Sequence, residues 1–217
     1  MFNDDIEEKE VVLVSNLVNV SGIIIEKPVL SHNVYGENFY NFKINVRRLS
    51  DVYDEIPVMV SERLLDIQSI ELGNYIEILG QLRSYNNYSE EEGKNKLILT
   101  IFAKEIHMDF YSTDSALNTI EIKGYICKKP IYRVTPFGRE ICDVLVAVNR
   151  NYNKSDYIPC ISWGRNAKFT GALEVGTKVS IIGRIQSRSY QKRIDDLTSI
   201  NKMAYEVSVS RIEKIKD

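Results

Sequence analysis

Tryptophan occurs once, histidine twice and cysteine three times in 217 residues, beside eleven glycines and five prolines. Cys127, Cys142 and Cys160 are an odd number at wide spacing, with His32 and His107 the only imidazoles. That excludes a disulfide framework and a zinc cluster, and buried free thiols are expected. So little glycine and proline excludes a collagenous or disordered chain. Long apolar runs are missing too: stretches such as Val11, Val12, Leu13 and Val14 fall far short of the roughly 18 residues that span a bilayer. No membrane partner is expected. The first residues are acidic (Asp4, Asp5, Glu7, Glu8), opposite in sign to a secretory or mitochondrial leader, so a cytoplasmic location is expected. The nucleophile, P-loop and zinc-protease motifs GxSxG, GxxxxGK[ST] and HExxH do not occur. The chain therefore reads as a non-enzyme without cofactor or metal. Acid pairs such as Asp195-Asp196 read as solvated loop residues, and the residual enzyme reading is a metal-dependent nuclease.

What is present is ordinary in amount and uneven in placement. Apolar residues make up 44% of the chain, aromatics 10% and charged residues 27%, a globular composition with room for one domain or two small ones. The net charge of −2 hides a division. Residues 1–110 carry 10 Lys+Arg against 19 Asp+Glu, and residues 111–217 carry 18 against 11. Such asymmetry implies that one half meets a polyanion.

The two halves also repeat each other. Gly22, Pro28, Gly36, Val46, Arg48, Asp54, Ile56 and Pro57 recur 102 residues later as Gly124, Pro130, Gly138, Val148, Arg150, Asp156, Ile158 and Pro159. After one inserted residue, Gly73, Gly80 and Ser84 recur as Gly176, Gly183 and Ser187. A period of that length means two whole domains, residues 1–110 and 118–217, with Asp109 to Leu117 as linker.

Within each copy the pattern is mostly strand. In the second, Ile120–Cys127 alternates apolar with polar around a Gly bend, and Pro130 and the Thr135–Gly138 turn close it. Strands are expected over Glu140–Asn149, Tyr157–Trp163, Lys178–Arg188 and Met203–Ile212, with a short helix near Asn166–Leu173. Five strands with a helix between the third and fourth is the layout of an OB-fold, a partly open Greek-key barrel. The expected class is all-β: two tandem OB-folds, each with one short helix. A pair of β-sandwiches is the alternative.

The run Gly124-Tyr-Ile-Cys-Lys-Lys-Pro130, then Thr135–Gly138, Ala147–Arg150, Trp163-Gly-Arg-Asn-Ala167 and Gly183–Tyr190 resembles the bacterial single-stranded DNA-binding proteins, with primosomal replication protein N as a close cousin. The resemblance implies sequence-independent coating of single strands in replication, recombination and repair. A binder of that kind needs cations for phosphates and flat rings for unstacked bases. The family's four aromatic positions fall on Tyr152, Tyr157, Trp163 and Tyr190. Its phosphate contacts fall on Arg165 and Arg188. Charge and position add Arg150, Lys154, Arg184 and Lys192. Arg133 and Arg139 read equally well as solvated surface. Single-stranded DNA is the expected partner, with RNA the alternative, because stacking and phosphate contacts read no 2′-hydroxyl.

In the first copy those four positions hold Ser50, Glu55, Ser61 and Asn87, only Arg63 keeps its cation, and Ser89–Glu92 is acidic. That copy is expected to serve assembly. The competing reading has it bind nucleic acid through Tyr35, Tyr40, Tyr53, Tyr85 and Tyr88. By analogy with the family's four-barrel particle, a homodimer is expected. The family's long acidic-tipped tail has no counterpart after Asp217, which suggests an accessory binder. A primosome-type protein-interaction module with weak nucleic-acid binding is the alternative function.

Overall fold

A computed structural model describes residues 15–89, 94–108, 117–193 and 199–216. In the first repeat the strands are β1 (Asn16–Ile24), β2 (Val29–Val34), β3 (Glu37–Arg47), β4 (Tyr53–Ser61), β5 (Tyr75–Ser89) and β6 (Lys94–Met108). The second repeat follows with β7 (Asn118–Ile126), β8 (Ile131–Val134), β9 (Glu140–Arg150), β10 (Lys154–Trp163), helix α1 (Gly164–Gly171), β11 (Lys178–Arg193) and β12 (Ser199–Lys214). Hydrogen bonding runs β2-β3-β4-β6-β5-β1-β7-β11-β12-β10-β9-β8, and extra pairings of β1 with β3 and of β7 with β9 close each half into a barrel. Antiparallel neighbours with one parallel pair per barrel, β4 with β6 and β10 with β12, give the OB-fold twice.

Closure explains the recurrent glycines. A Cβ on Gly22 would stand 2.4 Å from the carbonyl oxygen of Asn45, and one on Gly124 would stand 2.4 Å from that of Ala147. Only a residue without a side chain lets the first strand of each barrel cross its partner so closely. Inside, Val, Ile and Leu side chains from both barrels merge into one buried cluster that includes Val18, Ile78, Ile120 and Ile181.

The repeats are joined through their first strands. Val18 pairs with Ile120, its own counterpart 102 residues on, while Asn16 faces Ile122 and Val20 faces Asn118. A pseudo-twofold axis therefore passes between Val18 and Ile120. The amide of Asn16 exchanges both hydrogen bonds with the backbone of Leu82, at 2.7 and 3.0 Å. Asn118 does the same with Ile185, at 2.8 and 2.9 Å.

Several sequence expectations change. The edge strands β2 and β8 add to the expected set; every residue in them is exposed, so neither shows the alternation that marks a half-buried strand. The helix of the second repeat begins at Gly164, earlier than expected, and among the described residues of the first repeat the one helical segment is a 3₁₀ turn at Ile67–Ser69. There the carboxylate of Glu62 accepts from the backbone and side chain of Asn38 at 2.9 and 3.0 Å. This holds the segment to β3 where α1 begins in the other copy. Of the thiols, Cys142 and Cys160 are buried as expected, but Cys127 is only half-buried. Residues 109–116 of the linker and the acidic Glu90–Glu92 lie outside the described residues.

Candidate nucleic-acid interface

Tyr152 occupies the tip of the β9–β10 hairpin, where a three-residue turn needs left-handed backbone: φ is +62° at Tyr152 and +54° at Asn153. A bulky residue held there is uncommon. Its ring projects from the barrel, flanked by the exposed Lys154. Tyr157 and Trp163 are both on the outer face of β10, six residues or about 20 Å apart along the strand, opposite Ala147 and Ile141 of β9. Trp163 is also the residue from which α1 starts, and the exposed Arg165 follows in its first turn. Tyr190 lies near the end of β11, paired with Lys202 of β12, where the guanidinium of Arg188 sits 5.9 Å from the ring centre. The four rings are 93%, 44%, 38% and 37% exposed in chain order, so none is sealed in the core.

The cations sort into two groups. Lys154, Arg165 and Arg188 are exposed, although Arg188 stands 3.7 Å from Glu206. The side chain of Lys192 lies outside the described residues. Arg150 and Arg184 instead face buried carboxylates. Asp156 accepts from Arg150 at 3.2 Å, from Arg83 at 3.0 Å and from the backbone of Ser84 at 2.7 Å. Asp54 is held by Arg48 at 2.5 and 2.7 Å and by the backbone of Ser187 at 2.6 Å, with Arg184 at 3.7 Å. Hydrogen bonding to Asp54 raises the Arg48 guanidinium above its ordinary range, whereas burial and then the neighbouring Arg48 charge lower Arg184. Arg133 is paired with Asp143 at 2.9 Å.

These carboxylates cross from one repeat to the other, a role that reading each barrel alone missed. A signal existed: Arg48, Asp54 and Ser84 are among the residues that recur as Arg150, Asp156 and Ser187. Polar residues repeated in register mark a contact made twice about the same axis.

In the first repeat the positions matching the four rings carry no aromatic side chain. Its other tyrosines are scattered: Tyr35 is fully exposed in a turn, Tyr53 and Tyr85 are half-exposed, and Tyr40 packs against the core. The side chain of Tyr88 lies outside the described residues. Among the described residues no group of three or more His, Cys, Asp or Glu side chains is placed to hold a metal ion, and no helix is long and apolar enough to cross a membrane.

Residues 117–215 match the single-strand binding protein family. Single-stranded DNA-binding protein A of Bacillus subtilis (strain 168) is 31% identical over 84 residues, which cover 36% of this chain and 49% of that protein. Single-stranded DNA-binding protein B of the same organism is 33% identical over 81 residues, covering 34% of this chain and 72% of that protein. The chain thus spans about half the length of the first relative and nearly three quarters of the second. Among solved structures, the wild-type single-stranded DNA binding protein from Thermus aquaticus superposes with a TM-score of 0.74 at 19% identity, over 93% of both chains. That likeness is one of fold, and it takes in both repeats. The chain belongs to the single-strand binding protein family.

Proposed function

We propose that this protein binds single-stranded DNA without regard to sequence, through the second repeat. The observation that carries the reading is the open placement of Tyr152, Tyr157, Trp163 and Tyr190 on one barrel, with Lys154, Arg165 and Arg188 exposed around them. Bases stack on the rings, each worth about 1–3 kcal/mol in such systems, and phosphates meet the cations. Lys192 belongs to the same cationic set. Arg150 and Arg184 serve the seam first and reach the strand with what remains of their hydrogen-bonding capacity.

The wider reading follows the relatives, which are named for single-stranded DNA binding. It comprises a binding protein rather than an enzyme, acting in the cytoplasm in replication, recombination or repair. A homodimer presenting four barrels is part of it.

The experiment is titration of the full chain with oligo-dT while following Trp163, which reports alone because tryptophan occurs once. Quenching is expected at low salt. Affinity should fall as salt rises, with a slope of about −0.7 per phosphate neutralised. An unquenched Trp163 at low salt overturns the proposal.

A further inference from the structure

An open groove of about 640 Å³ runs along the seam, where strands β5 and β6 of the first repeat face the β9–β10 turn of the second. Among the described residues its lining includes four cations, Arg83, Lys104, Arg150 and Lys154, and no carboxylate. The first repeat carries nearly two acids for every base, so this wall departs from the surface around it. Asp156, buried behind the lining, balances one of the four charges through Arg83 and Arg150. Lys104 and Lys154 are exposed at the two sides.

Rings line the groove too, His32 and Phe102 among them, and Phe39, outside the lining, touches both. On the first repeat, His32 of β2 stacks on Phe39 of β3 with centroids 5.1 Å apart and planes within 9°. Phe39 in turn lies 5.9 Å from Phe102 of β6, and the Lys104 ammonium stands 5.1 Å over the Phe102 ring. His32 is exposed, so this tier of three rings ends at solvent. Tyr152 borders the same groove from the second repeat and Tyr85 from the first. Flat rings interleaved with lysines are what unstacked bases and their phosphates require. None of His32, Phe39 and Phe102 occupies a position equivalent to the four rings of the second repeat.

We infer that a single strand bound on the second repeat continues across the seam onto the first. A base rests on the His32–Phe39–Phe102 tier, and flanking phosphates are held by Lys104 and Lys154. The inference rests on the reading of the second repeat as a single-strand site. It gives residues 1–110 a share of the ligand, in place of assembly alone.

The test compares the intact chain with a His32→Ala/Lys104→Glu double variant, both positions being exposed. Each is titrated with oligo-dT and oligo-U of about 8 and about 30 nucleotides, lengths that bracket one and two OB-folds. The double variant should lose about tenfold or more in affinity for the longer strand. Its Trp163 quenching by the shorter strand should be unchanged. Loss with oligo-dT, oligo-U or both supports the path and names the strand chemistry it takes. Crosslinking of iodo-deoxyuridine strands to the peptides holding His32 and Phe102 supports it independently. Equal affinities of variant and parent for the longer strand, with quenching intact, overturn this inference alone. Absence of quenching in the parent chain overturns it together with the function proposed for the second repeat.

Discussion

The buried carboxylate of Asp54 in the first repeat accepts the backbone N–H of Ser187 in the second at 2.6 Å and the Ser187 hydroxyl at 3.1 Å. The reciprocal contact joins Asp156 to the backbone of Ser84 at 2.7 Å. Ser84 Oγ then accepts the N–H of Tyr157 at 2.7 Å, so the strand carrying two of the four exposed rings is anchored to the other barrel. Buried polar networks hold position well when every member is satisfied. Here the satisfied pair sets how the two barrels face each other, and with that the width of the groove between them.

Removing the Asp54 carboxylate leaves the Ser187 N–H without its acceptor and the Arg48 guanidinium without its paired charge, with only the Ser187 carbonyl at 3.0 Å still accepting from Arg48. Asp54→Ala is expected to destabilise the chain by about 3 kcal/mol, because breaking a buried pair costs far more than the pair contributes. Urea denaturation followed by far-ultraviolet circular dichroism reads this as a lower midpoint. A midpoint unchanged from the parent would mean that Asp54 does not hold the seam. Ser50→Ala, at an exposed loop position of the first repeat, is the matched control.

Much of this architecture is legible from residue order alone. The repeat interval, the strand alternation and the paired glycines identify two barrels, because turn chemistry and closure leave local marks. The edge strands β2 and β8 leave none, since no face of either is buried. Of the exposed rings of the second repeat, Tyr152, Tyr157 and Trp163 share the β9–β10 hairpin and its second strand while Tyr190 lies on β11, and it is the family resemblance, carried by short motifs in order, that picks out all four. The His32–Phe39–Phe102 tier draws on three strands whose register brings together residues up to 70 positions apart. No local pattern encodes that.

Gly124→Ala tests barrel closure. The added methyl would meet the carbonyl oxygen of Ala147 at 2.4 Å and a methyl of Val146 at 2.8 Å, and neither backbone nor core can move freely. A loss of about 1–3 kcal/mol is expected, as for other overpacked sites. Calorimetry should show the melting temperature falling by several degrees, while an alanine at Gly171, whose nearest neighbour is the Tyr132 side chain at 3.1 Å, should cost less.

The thiols set an alkaline limit on stability. Burial pushes the Cys142 thiol from 9.0 up to about 11, and burial raises Cys160 as well. In the unfolded chain these thiols ionise near their ordinary range. Above about pH 9 the unfolded state therefore holds fewer protons than the native one, and stability falls as pH rises. The contribution of Cys142 is complete below about pH 9 and lost as pH climbs through 11, while the more deeply buried Cys160 gives up its proton only at still higher pH. Urea midpoints measured from pH 8 to pH 11 should decline, and Cys142→Ala should flatten part of that decline. At pH 8, a thiol reagent should label native Cys127 ahead of the other two, since only Cys127 is partly exposed. Equal labelling of all three in the native protein would contradict the burial.

Tyr152 sets stability against binding. Its φ of +62° costs an L-residue about 1 kcal/mol that glycine does not incur. Tyr152→Gly should therefore leave the fold as stable as the parent or more so. The same change removes the most exposed of the four rings and should weaken oligo-dT binding by the stacking energy of one base, about 1–3 kcal/mol. Tyr152→Phe keeps both the strain and the ring, so its melting temperature and its affinity should match the parent. Thermal melts and Trp163 titrations on the three proteins give four numbers to compare with the parent. If the glycine variant binds as tightly as the parent, Tyr152 is not a stacking platform. If instead its affinity falls together with its melting temperature, the turn matters for folding and the ring's part in binding is not what holds this residue at positive φ.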